Sequence, residues 1–354
     1  MSIPTEPIGS IPRPPELIHA VSDFAEGRIS EKKLDSFYQS ALRDTIDRFE
    51  ATGSRVITDG EQTKPSFATY PIHGLENLAP GGVIIPFADG HERQLPKLTA
   101  GPFRYKSFAD SYLKEAQRHA RVPVKQAVIS VSALSLLYPQ DSIETYSREE
   151  FIKDLLDESE VDIRRCLNGG AHNVQIDFTE GRLSLKLDPT GQVLKTFINL
   201  NNQVLARFSV EERKRIGVHT CPGGDQDSTH SADIDYSDLM PSLFELKVGR
   251  FYIQLASEND PVRVLKFIRE NLQPHQMIFV GVIDPINPKV ETPEDVRDRV
   301  LEAAEYIPLN QLGSTDDCGF SPFGDDLSTS RETAFEKIRA RVIGTEIASQ
   351  KLGV

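Results

Sequence analysis

Short, unbroken apolar segments alternate with amphipathic helical segments along the whole chain, and this alternation limits the fold more than any other feature of the sequence. The segments at 7–10, 55–58, 125–130, 173–177, 215–218, 250–255, 277–283 and 311–314 are rich in Val and Ile, without polar–apolar alternation. Strands buried on both faces read this way. The helical segments between them carry legible ends. Ser147 and Glu150 spell a capping box, and Gly169-Gly170 closes the helix it opens. Thr292, Pro293, Glu294 and Asp295 put a cap, an N1 proline and two acids into one first turn. Asn259-Asp260-Pro261 does similar work before a helix at 262–272. Eight strand–helix units in order predict an α/β fold, a (β/α)8 TIM barrel, as one catalytic domain over residues 1–354. An open dinucleotide-binding sheet would carry Gly-x-Gly-x-x-Gly after its first strand, and this chain has no such turn there.

One excursion breaks the rhythm. Residues 62–122 are too many for a simple connection after the second strand, and long connections usually fold or function in their own right. Within them 81–86 and 94–99, separated by Asp89-Gly90, predict a β-hairpin that lies over the barrel mouth as a lid. A formal charge of −13 argues against nucleic acid and anionic membrane surfaces as partners. The apolar run around 127–137 is too short to span a bilayer and contains serines. The first residues lack the basic and apolar regions of a secretory signal, and three cysteines make no disulfide framework, so a cytoplasmic location is expected.

Polar residues collect at one end of nearly every strand: Ser10, Glu61, Asp177, His219 with Cys221, Gln254, Asp284 and Cys318. In barrels that rim is where active sites are built, although any single one of these could be a helix cap or a loop ion pair. His219, Cys221 and Cys318 are an imidazole and two thiols, a strong set for Zn²⁺. A structural zinc knuckle draws paired cysteines from one small loop, whereas these come from two strand ends about a hundred residues apart. The pattern points to a catalytic metal with an exchangeable position. The plain alternative is that free Cys acts as a small buried hydrophobe, which is the expectation for Cys166 on its helix. Asp225, Asp227 and His230 offer further ligand or acid–base groups, but Asp, Ser and Gly in this stretch read first as a polar turn before a helix at 236–246.

The motifs Ile8-Gly9-Ser10-Ile11-Pro12, Asp59-Gly60-Glu61, Val174-Gln175-Ile176-Asp177, His219-Thr220-Cys221 and Asp316-Asp317-Cys318-Gly319 resemble, in order and spacing, the C-terminal catalytic barrel of cobalamin-independent methionine synthase. The resemblance covers essentially the whole chain and is to the short, single-barrel relatives. It implies a zinc enzyme in which metal-activated homocysteine sulfur takes a methyl group from methyltetrahydrofolate. It further implies that His219, Cys221 and Cys318 are zinc ligands, and that Ile8 and Ser10 bind substrate, Ser10 through its backbone N–H to a carboxylate. Glu61 and Asp177 would hold the α-ammonium of an amino-bearing thiol such as homocysteine.

Three departures qualify the reaction. The family's fourth ligand is a Glu on the sixth strand, and Gln254 stands there, a neutral and poorer ligand. The family's proton-donating His should fall within 282–288, where there is none; Asp284 is the acid–base candidate in its place. The Trp beside the folate pterin has no counterpart, since the chain contains no Trp. These losses fall on the methyl-donor side and on metal tuning. The reading is therefore a zinc-dependent methyl or alkyl transferase to a thiol, inefficient with methyltetrahydrofolate. The alternatives are a zinc-dependent epoxide–thiol transferase or a zinc Lewis-acid enzyme of specialised metabolism.

Overall fold

A computed structural model describes residues 2–354. Six buried strands form one all-parallel sheet in the order Leu312–Asp316, Met277–Ile283, Arg250–Ile253, Ile216–Thr220, Val174–Asp177, Gln126–Ile129. Neighbours in this sheet are neighbours in sequence, each pair joined through helices packed outside, as right-handed crossovers require. The register sets Asp177 beside His219, and Tyr252 beside His219 on the other flank. The ends of the strands that carry Asp177 and His219, and the strand that Gln254 follows, therefore lie side by side at the carboxyl edge.

The two remaining predicted strands, 7–10 and 55–58, do not form ladders. Thr5 makes a single parallel bridge to Ser314, and Ile57 a single parallel bridge to Val124. Prolines explain the shortfall: Pro4, Pro7 and Pro123 have no N–H to donate, so pairing stops after one bridge at each edge. The two segments meet one another through Thr58 Oγ1 donating to the Gly9 carbonyl at 2.8 Å and Ile11 N–H donating to the Gly60 carbonyl at 3.0 Å.

The caps form as the sequence predicts. Ser147 and Glu150 close a reciprocal box at the start of Arg148–Asn168, and Thr292 with Asp295 does so for Pro293–Ala304. Asp260 caps Pro261–Asn271 by accepting from the Arg263 N–H. The strand predicted at 250–255 ends early, at Ile253. The N–H groups of Leu255, Ala256 and Ser257 turn to the Asp317 carboxylate at 2.8–2.9 Å instead of continuing the ladder.

Residues 62–122 hold a helix, Ala109–Gln117, and two short antiparallel pairs. Ile84–Pro86 pairs with Glu92–Gln94 around a turn at Gly90, and Leu78–Ala79 pairs with Lys97–Leu98. The second hairpin strand begins at Glu92, two residues before the predicted start. Ala88 N–H donates to the Thr229 carbonyl at 2.9 Å, tying the hairpin tip to the loop after Cys221. Cys166 is a fully buried core residue, as expected. Among the described residues, no helix is long and apolar enough to cross a membrane.

Candidate metal centre

His219 stands near the end of the strand Ile216–Thr220, Cys221 immediately follows that strand, and Cys318 lies two residues past the end of Leu312–Asp316. One ligating atom from each lies within 4.8 Å of the others, and all three side chains are buried. The two sulfurs are 2.9 Å apart. Hydrogen bonding from Cys221 holds the Cys318 thiol well below its ordinary range, and burial pushes Cys221 up. Both ring nitrogens of His219 are buried and without a hydrogen-bond partner. A buried imidazole pays heavily for unsatisfied nitrogens unless something binds them. One imidazole nitrogen and two sulfurs brought together are the donor set that suits Zn²⁺.

Gln254 immediately follows the strand Arg250–Ile253, which runs beside the His219 strand. Its amide nitrogen donates to Ser257 Oγ at 2.8 Å, and Oε1, the atom able to ligate, is buried and unpartnered. Asp317 sets this arrangement. Its carboxylate collects the N–H groups of 255–257 and the Ser257 hydroxyl, locking the loop after Gln254 to the residue before Cys318. Gly281 lies against it, and a Cβ there would overlap Asp317 Oδ1. Burial raises the Asp317 carboxyl to about 7 despite its four donors.

Ile8, Ser10, Glu61, Asp177, His219 and Cys318 line one cavity of about 30 Å³. Ser10 closes its wall by accepting from Phe320 N–H at its carbonyl and from Ser321 N–H at its hydroxyl. Gly319 permits that contact, since a Cβ there would strike Ser10 Oγ. Ile8 offers its carbonyl to Gln175 Nε2, and the same Gln175 nitrogen donates to Asp177 Oδ1 at 2.7 Å. Burial lifts Asp177 to about 6, against the pull of His219 and with the push of Glu61. Glu61 adopts φ 56°, a left-handed conformation costly for a residue with a Cβ. Its carbonyl is held by Arg13 Nη2 at 2.6 Å and its N–H by Asp59 Oδ1 at 3.0 Å, so the surrounding bonds impose the strain.

Two basic residues here were not singled out from the sequence. Lys64 Nζ lies 3.0 Å from Glu61 Oε1 and 3.1 Å from the Ala127 carbonyl, with both side chains of the pair buried. Burial disfavours the ammonium, but Glu61 and Asp59 outweigh it and hold Lys64 above its ordinary range. Arg13 binds four backbone carbonyls, those of Glu61, Lys64, Ser321 and Phe323, and so joins the loop after Glu61 to the loop after Cys318. Glu61 and Asp177 are the two carboxylates on the cavity wall, and Lys64 pairs with the first of them from behind. A lysine three residues after a glutamate was the available signal, but nothing local separates it from a surface i,i+3 pair.

Asp284 does not line this cavity. Its carboxylate accepts from the N–H groups of Ile286 and Asn287 at 3.0 and 3.3 Å and closes a turn. Asp225 and His230 are also committed elsewhere, Asp225 to Arg93 and His91, and His230 to Ser231 and the edge of Phe87.

A family model described as the catalytic domain of cobalamin-independent synthase matches residues 3–331. The methionine synthase of Sulfurisphaera tokodaii is 23% identical over 353 residues, covering 99% of this chain and 94% of that protein. The 5-methyltetrahydropteroyltriglutamate–homocysteine methyltransferase of Vibrio cholerae is 24% identical over 323 residues, covering 90% of this chain and 40% of that longer protein. Among solved structures, a B12-independent methionine synthase from Shewanella in complex with selenomethionine superposes with a TM-score of 0.78 over 99% of both chains, at 20% identity. That likeness supports the α/β fold described above. With the family match running nearly from end to end, the chain belongs to the cobalamin-independent synthase catalytic-domain family.

Proposed function

We propose that this protein is a zinc-dependent methyltransferase that alkylates the sulfur of homocysteine or a closely related amino-bearing thiol. The carrying observation is the partnerless, buried His219 imidazole beside two thiols 2.9 Å apart, on a cavity also lined by Glu61 and Asp177. His219, Cys221 and Cys318 are the ligands in this reading, with Gln254 Oε1 as a neutral fourth. A bound Zn²⁺ would acidify an added thiol so that thiolate is present at neutral pH. Ile8 and Ser10 seat the acceptor, Ser10 through its backbone N–H, and Glu61 and Asp177 hold its ammonium. Lys64 orients Glu61 through their buried ion pair. Asp284 shapes the loop beside Cys318 by closing its turn. The names of the relatives favour methyl transfer over epoxide opening or general Lewis-acid chemistry.

In this reading the six strands close into an eight-stranded barrel through the segments at Thr5 and Ile57, within one domain over 1–354, and residues 62–122 are its lid. Two thiols that must stay reduced suit the cytoplasm. Methyltetrahydrofolate is a slow donor, because no histidine follows the strand Met277–Ile283 and no Trp is available to stack the pterin. Methionine formation from it at several turnovers per second would contradict that.

X-ray absorption at the zinc edge tests the main reading. Added L-homocysteine should bring one more sulfur into the zinc shell. A desamino analogue, 4-mercaptobutyrate, should bind at least about tenfold more weakly, because it leaves a buried carboxylate without its ammonium. An unchanged sulfur count would remove the thiol substrate, and equal binding of the two thiols would remove the role given to Glu61 and Asp177.

A further inference from the structure

Asn173, Gln175 and Asp177 alternate along one strand and face the same side of the sheet. Each holds something different. Asn173 Nδ2 donates to Glu6 Oε2 at 3.0 Å, and Asp177 lines the cavity beside His219. Between them, Gln175 Nε2 donates to the Ile8 carbonyl at 3.1 Å and to Asp177 Oδ1 at 2.7 Å. The segment at 7–10 has no ladder to hold it, so its course past the cavity depends on side-chain contacts of this kind. That segment follows the bridge from Thr5 to Ser314 on one edge strand, whereas Gln175 is on the strand next to the other edge. A single amide thus ties the two sides of the sheet together.

The amide can face only one way. Its Oε1 accepts from Lys125 Nζ at 2.7 Å, and an ammonium has no lone pair to offer in return. A flipped amide would set N–H against that ammonium, and an oxygen against both the Ile8 carbonyl and the Asp177 carboxylate. Lys125 is itself immobilised, being fully buried, 4.0 Å over the Tyr252 ring and 3.9 Å from Glu6 Oε2. Both Nε2 hydrogens are therefore spent on the two halves of the proposed acceptor seat. One half is the segment Ile8–Ser10, which meets the carboxylate, and the other is Asp177, which meets the ammonium. Gln175 is fully buried and does not line the cavity, so it acts only through these neighbours.

We infer that Gln175 is a positioning residue that fixes the separation of these two halves, and so restricts the acceptor to a thiol carrying ammonium and carboxylate on one carbon. The inference rests on the acceptor reading above.

Calorimetry on the zinc-loaded protein with L-homocysteine, 4-mercaptobutyrate and 3-aminopropane-1-thiol tests it, since the last two each carry one of the charged groups. Wild type should bind homocysteine at least about tenfold more tightly than either. Gln175→Met keeps the length and removes both donors, and that advantage should shrink at least about fivefold while the two single-group thiols bind as before. This variant leaves the Lys125 ammonium buried without its oxygen. Lys125→Met together with Gln175→Met removes both partners, and should regain stability to urea while showing the same loss of homocysteine affinity. Homocysteine keeping its full advantage in these variants would overturn the role of Gln175. Equal weakening of all three thiols would overturn it as well, because that is what a purely structural residue would give. Wild-type protein that binds the three thiols alike would overturn the acceptor reading itself, and the inference with it.

Discussion

Arg93 and Asp225 face each other as a two-pronged pair, Nε to Oδ2 at 2.5 Å and Nη2 to Oδ1 at 3.1 Å. The same guanidinium reaches both oxygens of Asp325 at 2.9 Å and lies over the Phe323 ring at 4.3 Å. Asp225 belongs to the loop that follows Cys221, and Asp325 to the loop that follows Cys318. One hairpin side chain thus clasps the loops behind both thiols. Arg93→Met keeps the length and removes the charge, leaving the buried Asp225 with His91 alone. Because Arg93 is partly exposed and His91 remains, the cost should be about 2 kcal/mol, below the range for breaking a fully buried pair. Hydrogen exchange should accelerate across 84–94 while the sheet strands keep their protection. Unchanged exchange there would mean that the clasp does not hold the hairpin.

Zinc content should be about one per chain. Cys221→Ser and Cys318→Ser should each lose most of the metal, read by elemental analysis, with the circular dichroism spectrum unaltered. The hydrophobic core is built from strands and helices that do not depend on the thiols. Full zinc retention in either variant contradicts the ligand assignment. Collapse of the fold on zinc removal would make the site structural.

Gln254→Glu replaces an unpartnered amide oxygen with a carboxylate at the same place. Chelator competition should show tighter zinc binding, because carboxylate is the stronger ligand. The added charge should also shift the activity profile toward higher pH, by disfavouring deprotonation of a metal-bound thiol or water. Unchanged zinc affinity would put residue 254 outside the metal's reach.

Glu180 offers a pH test away from the proposed metal ligands. Its Oε1 accepts from Ser130 Oγ at 2.5 Å and from Ser132 Oγ, while Oε2 is buried without a partner. Burial raises its pKa from 4.5 to about 7, against the pull of the two serines. A raised carboxyl keeps its full contribution below the unfolded value of 4.5 and loses it as pH climbs through about 7. Glu180→Gln should therefore be more stable than wild type at pH 8, by up to about 3 kcal/mol. The advantage should fade toward pH 5. Urea unfolding at the two pH values measures the difference, and the same difference at both would refute the linkage.

Local chemistry was legible without coordinates. The Ser147 and Thr292 caps are written within four residues, and the burial of six strands follows from unbroken Val- and Ile-rich runs. His219, Cys221 and Cys318 stood out because soft donors at strand ends have few structural uses, and the structure brings their ligating atoms together. The segments at 7–10 and 55–58 were read too generously as strands, since prolines beside them and beside their partners withhold the donors a ladder needs.

The sequence by itself determined the α/β pattern, the donor residues and the neutral glutamine at position 254. These depend on side-chain chemistry and on periodicity within one element. Only the tertiary structure decided that Lys64 neutralises Glu61, that Arg93 joins two loops, and that Asp317 ends the strand before Gln254. It alone opened a large cavity beside the small one at His219. Arg93 and Asp225 are separated by 132 residues, and Leu255 and Asp317 by 62. Pairings at such range are fixed by how the strands order and the loops pack, and no local pattern in the chain encodes that.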